Sequence, residues 1–227
     1  GGVGGDGGGE EAGLGGGGVD GTRRGGERRV SHEAALRAAV PEDVAQLMGQ
    51  LHAAGFAAFV VGGAVRDTLA GRTPADWDLA TNATPDQLRS AFPNAQYENR
   101  FGTVGIPTST GVREVTTFRA DGPSSDARRP DAITFLGAIE GDLARRDFTI
   151  NAMAFGVPSD ALGDPVISGS LIDPFGGAAD LAAGLLRAVG DAGERFQEDA
   201  LRMLRAVRFM ARFELTIEPA TAAAIRR

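Results

Sequence analysis

The sequence predicts an α+β fold, a small mixed β-sheet with covering helices followed by the start of an all-helical segment. Two patterns carry this. Short strand-like runs alternate with helical periodicity between residues 41 and 175, and beyond Phe175 the strand-like runs fade while helical spacing continues. The 227 residues, 42% apolar and 23% charged, are enough to bury the core of one or two domains.

Glycine makes up half of residues 1–30 and no hydrophobic period runs through them, so 1–40 is expected to be a disordered tail. From Pro41, Val44, Leu47, Met48, Leu51 and Ala54 recur at helical spacing until Gly55 supplies a stop. Phe56 to Val61 is a short apolar run ending in Gly62-Gly63, and a helical pattern covers Ala64 to Ala70, which reads as strand, tight turn, helix. Asp76 to Ala80 alternates polar and apolar residues like a strand. Thr84 is placed as an N-cap, with Pro85 in the first turn of the helix it starts. Further strands are expected at Gly102 to Ile106, Arg113 to Phe118 and Ala132 to Phe135.

Helices are then expected over Ala178 to Leu185, Gln197 to Phe213 and Pro219 to Arg227. In the second of these, Leu201, Leu204, Val207 and Ala211 form the expected buried stripe, with Asp199, Arg202 and Arg205 off it and Arg208 at its edge. A boundary near Ala188 to Gly193 separates a domain over 41–190 from a helical unit over 191–227. Ala222, Ala223 and Ile225 have no obvious partner, so this unit is expected to be truncated, with more helical protein to follow.

Composition limits the chemistry. The absence of cysteine excludes disulfides, thiolate nucleophiles and zinc-thiolate sites; only His32 and His52 offer imidazole, so carboxylates must carry any metal chemistry. No run of about eighteen apolar residues and no basic-then-apolar leader is present, so a cytoplasmic, non-membrane protein is expected. The net charge is −7, yet from Arg195 to Arg227 seven arginines face four acids, which places any RNA contact at that end. All 23 basic residues are arginine, a bias that a GC-rich coding sequence explains more simply than phosphate recognition.

On an extended segment Asp76 and Asp78, two residues apart, point to one face while Trp77 and Leu79 point inward. Two such carboxylates suit a magnesium clamp; a solvated acidic pair at a strand edge is the plainer reading. Twelve residues upstream, Gly62-Gly63 ends a strand and opens a helix whose first N–H groups lack intrahelical partners, a place for a triphosphate to which Arg66 adds charge. Neither a dinucleotide fingerprint nor a Walker loop is present. Glu114, on an expected strand, is either a third metal-binding carboxylate and proton acceptor or an exposed strand glutamate. Asp199 and Arg202, three apart on a helix, form either a surface ion pair or a base reader. A carboxylate only accepts hydrogen bonds and a guanidinium only donates them, which suits the amino donor and ring-nitrogen acceptor of cytosine and adenine but not uracil or guanine.

Together these segments resemble a family. Gly62-Gly63, twelve residues and then Asp-x-Asp is similar to the nucleotidyltransferase superfamily signature. GGAVRDTLAGRTPADWDLATNATPDQL resembles motif A of class II tRNA nucleotidyltransferases and bacterial poly(A) polymerases, RRDFTINAMAF (Arg145 to Phe155) their motif B, and ERFQEDALRMLRAVRF (Glu194 to Phe209) their nucleotide-selecting motif. The resemblance implies a palm-like head with a helical neck, two magnesium ions on Asp76, Asp78 and Glu114, and transfer of CMP and AMP from CTP and ATP to the 3′ end of tRNA. It implies Arg146 for the triphosphate, Asp147 and Asn151 near triphosphate and ribose, Asp199 and Arg202 for base choice, and Arg205 and Arg208 as further nucleotide contacts. A structural Arg–Asp pair is the competing reading for Asp147 and Asn151. Asp126 to Pro130 matches a mobile loop of the family. Poly(A) addition is the nearest rival, but the arginine-rich stretch of that branch is replaced here by Arg100-Phe101-Gly102-Thr103-Val104-Gly105-Ile106. Enzymes adding only CC or only the final A stay open, whereas a non-catalytic RNA-binding remnant would be expected to have lost its carboxylates.

Overall fold

The computed structural model describes residues 1–2, 31–97, 101–122 and 132–226. At its centre is strand β1 (Ala58–Val61), a continuous apolar run because both of its faces are covered. Ala58 and Val60 pack on one side of the sheet, and Phe59 and Val61 on the other.

The first side is covered by a helix over 31–39, α1, then α2 (Glu42–Ala53), α3 (Gly63–Leu69) and α4 (Pro85–Ala91). The helix at α1 begins ten residues before the Pro41 start expected. Its Leu36 is fully buried, and its Glu33 and Arg37 reach the chain around residues 166–171: Glu33 accepts from the Leu171 amide at 3.1 Å and Arg37 donates to the Val166 carbonyl at 3.2 Å. Residues 3–30, the bulk of the glycine-rich tail, lie outside the described residues, as does the Asp126 to Pro130 loop. Leu47, Met48 and Leu51 of α2 are buried as their spacing predicts, and Ala54 and Gly55 close the helix. At α4, Thr84 and Gln87 form a reciprocal capping box with Pro85 at the first position.

The other strands are β2 (Leu79–Thr81), β3 (Gln96–Tyr97), β4 (Thr103–Thr108), β5 (Gly111–Thr117), β6 (Arg119–Asp121), β7 (Ile133–Phe135), β8 (Ala154–Val157) and β9 (Ser170–Ile172). Seven form one sheet in the order β3-β4-β5-β2-β1-β8-β9, antiparallel except for the parallel pair β2 and β5, while β6 and β7 form a separate hairpin. The mixed sheet is therefore as expected, although β3, β8 and β9 were not. Helix α5 (Ile139–Ala144) covers the second face through Ile139 and Leu143.

After α6 (Gly177–Ala182) come β10 (Leu185–Leu186), α7 (Ala192–Glu198), α8 (Leu201–Phe213), β11 (Thr216–Ile217) and α9 (Pro219–Ile225). Strands thus do not end at Phe175: β10 and β11 pair in parallel across the intervening helices α7 and α8. The single helix expected over Gln197 to Phe213 is broken at Asp199, which takes an extended conformation and accepts the Leu201 amide at 2.9 Å. The buried face of α8 also differs from expectation. Ala206, Phe209 and Phe213 pack inward with Phe148, Ile150, Leu186 and Phe196, whereas Leu201, Leu204, Val207 and Met210 are exposed among the described residues. Phenylalanines four apart bury more apolar area than the rival stripe and decide which way the helix turns. Residues on both sides of position 190 share this cluster.

One polar clamp holds the β4–β5 hairpin on α2. Asp43, buried, accepts from Arg113 Nε at 2.8 Å and from the Thr108 and Thr110 hydroxyls at 2.9 and 2.8 Å. Burial pushes its carboxyl up, but the Arg113, Thr110 and Thr108 hydrogen bonds and the Arg113 charge outweigh that and hold it at about 2. A carboxyl depressed in the folded state stabilises the fold above its unfolded value and loses that contribution as pH falls towards 2. Asp43→Ala is therefore expected to lower unfolding free energy by about 3 kcal/mol at pH 7. Its acid denaturation, followed by circular dichroism, should be flatter than wild type between about pH 4 and pH 2.

Candidate active site

The site begins where β1 stops. Gly62 turns at φ 64°, its amide donating to the Met153 carbonyl at 3.0 Å and its carbonyl accepting from Arg66 to start α3. A side chain there is disfavoured by the conformation, which favours glycine, and a Cβ would sit 2.6 Å from Arg146 Nη1, so the guanidinium would have to move. The Arg146 guanidinium thus lies directly over the turn, where its charge and the free amides of the first helical turn face the same space. Arg146 is anchored by Asp142 at 3.1 Å, and Arg145 binds the other Asp142 oxygen at 2.7 Å. Burial pushes the Asp142 carboxyl up, but Arg146 and Arg145 prevail and keep it below the usual range, so it stays a charged anchor.

The aspartate pair reaches the same point because the Val61 amide donates to the Asp78 carbonyl at 3.1 Å. Asp76 and Asp78 lie on the extended lead-in to β2, ahead of the strand itself, but the alternation holds: Trp77 and Leu79 are buried and both carboxylates are exposed. Neither carboxylate makes a hydrogen bond or ion pair with the described residues. Asp78 lines the cleft described below; the protein packed behind it pushes its carboxyl above the usual range, Arg146 opposes this, and Asp76 adds to it. Two unpaired carboxylates, one disfavoured as a bare charge, are a donor set that a divalent cation fits. Glu114 is exposed on β5, and the Leu79–Val115 register brings its backbone level with Asp78. Among the described residues, however, no three His, Cys, Asp or Glu side chains converge on one point, so the expected set of three carboxylates is not assembled. Asp76 precedes β2 by three residues, so sheet pairing does not aim its side chain.

A cleft of about 590 Å³ joins these parts. Of the residues expected from the sequence, Gly62, Gly63, Arg66, Asp78, Arg146, Asp147, Asn151, Asp199, Arg202, Arg205 and Arg208 line it; Asp76 and Glu114 do not, and neither do His32 and His52. Several are already partnered. Arg66 donates to Asp67 at 2.8 Å and Asn151 at 2.5 Å, and Asp147 accepts from Asn151 at 3.0 Å and Arg205 at 2.7 Å. Arg202 pairs with Glu198 at 2.8 Å and donates to the Arg145 carbonyl at 3.1 Å, so the expected Asp199–Arg202 ion pair is absent: Asp199 is occupied at the break before α8. Glu198 is one lining residue that sequence reasoning missed, although Glu followed four residues later by Arg is a legible signal. Arg119 and Asp121 of β6 and Phe101 in the turn before β4 also line the cleft, where no local pattern marks a site.

The Poly A polymerase head domain model matches residues 58–187, more than half of the chain. The chain belongs to that family. This head-domain protein is 45% identical over 175 residues to the CCA-adding enzyme of Geobacillus thermodenitrificans, a match covering 76% of the chain and 41% of the relative. The crystal structure of the Bacillus stearothermophilus CCA-adding enzyme in complex with CTP superposes with a TM-score of 0.69 at 39% identity, covering 81% of this chain and 42% of that one. The Thermotoga maritima CCA-adding enzyme complexed with tRNA gives 0.64 at 28% identity, covering 85% and 43%. The chain thus spans about two fifths of the length of these relatives. No helix among the described residues is long and apolar enough to cross a membrane.

Gly62→Ala is expected to strain the turn and displace Arg146. It should cost about 1–3 kcal/mol in chemical denaturation and weaken nucleoside triphosphate binding, measured by titration calorimetry, more than Gly55→Ala does.

Proposed function

We propose that this chain is the catalytic head, residues 41–190, and the beginning of the helical neck, residues 191–227, of an enzyme that adds CMP and AMP from CTP and ATP to the 3′ end of tRNA. The observation that carries this reading is the single cleft uniting the glycine turn, Asp78, Arg146 and the Asp199–Arg202 segment, parts separated by up to 140 residues in sequence. The kinship with enzymes named for CCA addition, one solved with CTP and one with tRNA, supports the choice over poly(A) addition. Action on tRNA fits a cytoplasmic setting.

In this reading the glycine turn and Arg146 bind the triphosphate, and Asp199 and Arg202 face the base. Asp76 and Asp78 would hold magnesium, with Glu114 reached by a side-chain rotation; magnesium, when bound, lowers the pKa of the attacking 3′-hydroxyl and steadies the leaving pyrophosphate. Asp142 anchors Arg146 over the turn, and Glu198 with the Arg145 carbonyl holds the Arg202 fork at the cleft. Arg205 and Arg208 add positive charge along the same wall, where an RNA backbone would pass.

Asp78→Asn is expected to lower magnesium-dependent incorporation of CMP and AMP into tRNA lacking its CCA end by about 100-fold or more. Its melting temperature should stay equal or rise, because the charge removed is one that the protein packed behind it disfavours; undiminished incorporation would refute the metal role. Asp199→Ala should relax discrimination against UTP and GTP by about 1–3 kcal/mol, measured as relative kcat/KM.

A further inference from the structure

Arg66 was expected to touch the triphosphate, but its guanidinium is committed elsewhere. The residue is 6% exposed, with Nε on Asp67 at 2.8 Å and Nη1 on Asn151 Oδ1 at 2.5 Å. Its Nη2 lies 2.7 Å from the same Asp67 oxygen. The flat face of the group lies against α8: Cζ is 4.5 Å from the Phe213 ring centre and 5.2 Å from that of Phe209. Asn151 passes the connection on, donating to Asp147 Oδ1 at 3.0 Å, and Asp147 Oδ2 accepts from Arg205 Nε on α8 at 2.7 Å. Two routes therefore run from the glycine turn to α8, one of hydrogen bonds and one of stacked rings, and both start at Arg66.

We propose that Arg66 is a positioning residue for base selection, fixing the orientation of α8 and the Asp199–Arg202 segment relative to the glycine turn that holds the phosphates. The physical reason is the shape of arginine. One planar group supplies donors along its edge for Asp67 and Asn151 and a face for two aromatic rings, which lysine cannot do. A small error in the angle of α8 barely alters phosphate contacts at the turn but moves the base-facing groups at the far side of the cleft, where alignment of paired hydrogen bonds decides selectivity. Arg72 reinforces the arrangement from the end of α3, lying 4.6 Å from the Phe213 ring and donating to the Arg212 carbonyl at 3.2 Å.

This inference rests on the reading of the cleft as a CTP and ATP site. Its test is equilibrium binding of CTP, UTP and inorganic triphosphate to the full chain, for wild type, Arg66→Lys, Arg66→Met and Phe213→Leu, each checked for its melting transition. The expected result is a loss of about 10- to 100-fold in the CTP over UTP preference in both Arg66 variants. A smaller loss in the same direction is expected in Phe213→Leu, which leaves the guanidinium in place, and inorganic triphosphate binding should stay within about twofold of wild type throughout. If triphosphate and CTP binding fall together in the Arg66 variants, Arg66 is a direct phosphate contact and the inference is overturned. If the variants keep the wild-type preference, it is likewise overturned. A wild-type chain that does not prefer CTP would instead overturn the reading of the site itself, which the wild-type arm reports separately.

Discussion

The end of β1 is the constraint from which the site is built. Within two residues the chain must leave a strand buried on both faces, reverse through a conformation open to glycine, and begin a helix, while the amides of Val61 and Gly62 bind the Asp78 and Met153 carbonyls. Three segments distant in sequence are thereby locked to one corner of the sheet by backbone hydrogen bonds, which no side-chain substitution removes. Arg146 can lie in its present position over that corner because position 62 carries no side chain.

Around this corner the charges are arranged as pairs of unequal accessibility. Buried or half-buried acids, Asp142, Asp147 and Glu198, hold Arg145, Arg146, Arg205 and Arg202, so the guanidinium groups face the cleft in fixed geometry with part of their charge already balanced. A cleft lined with free arginines would repel itself and pay a larger entropy cost on binding an anion; one lined with fully neutralised pairs would attract none. Asp78 is the opposite case, an acid without a cationic partner in hydrogen-bond contact, destabilised as a bare carboxylate by the packing behind it.

Much of this was legible in the sequence, and the limits have physical causes. The glycine pair, the alternation around Trp77 and the Thr84 cap are local patterns, and local sterics or local hydrogen bonds decide them. The direction of α8 was not legible because the helix carries two apolar stripes, and only contact with Phe148, Ile150 and Leu186 selects the one holding Phe209 and Phe213. Nor was the break at Asp199: a helical period continues through it, and a side chain bonding two residues ahead competes with the helix in a way that hydrophobic spacing does not register. Strands of two residues such as β10 and β11 exist by virtue of each other, so neither has a signature alone. Most residues expected at the site line one cleft, Asp76 and Glu114 excepted, but whether each acts as a ligand or as a strut depends on partners that spacing cannot supply, as Arg66 and Asn151 illustrate.

The contacts of Glu33 and Arg37 carry a practical meaning. β9 is the last strand of the seven-stranded sheet, and one of its outward amides, that of Leu171, is taken by the Glu33 side chain while Arg37 pins the loop that leads to it. A glycine-rich beginning invites trimming to Pro41, and such trimming would remove this guard together with Leu36. The bared strand edge would then be a template for pairing with other chains, so a shortened protein would aggregate through an edge that the Glu33 side chain otherwise covers.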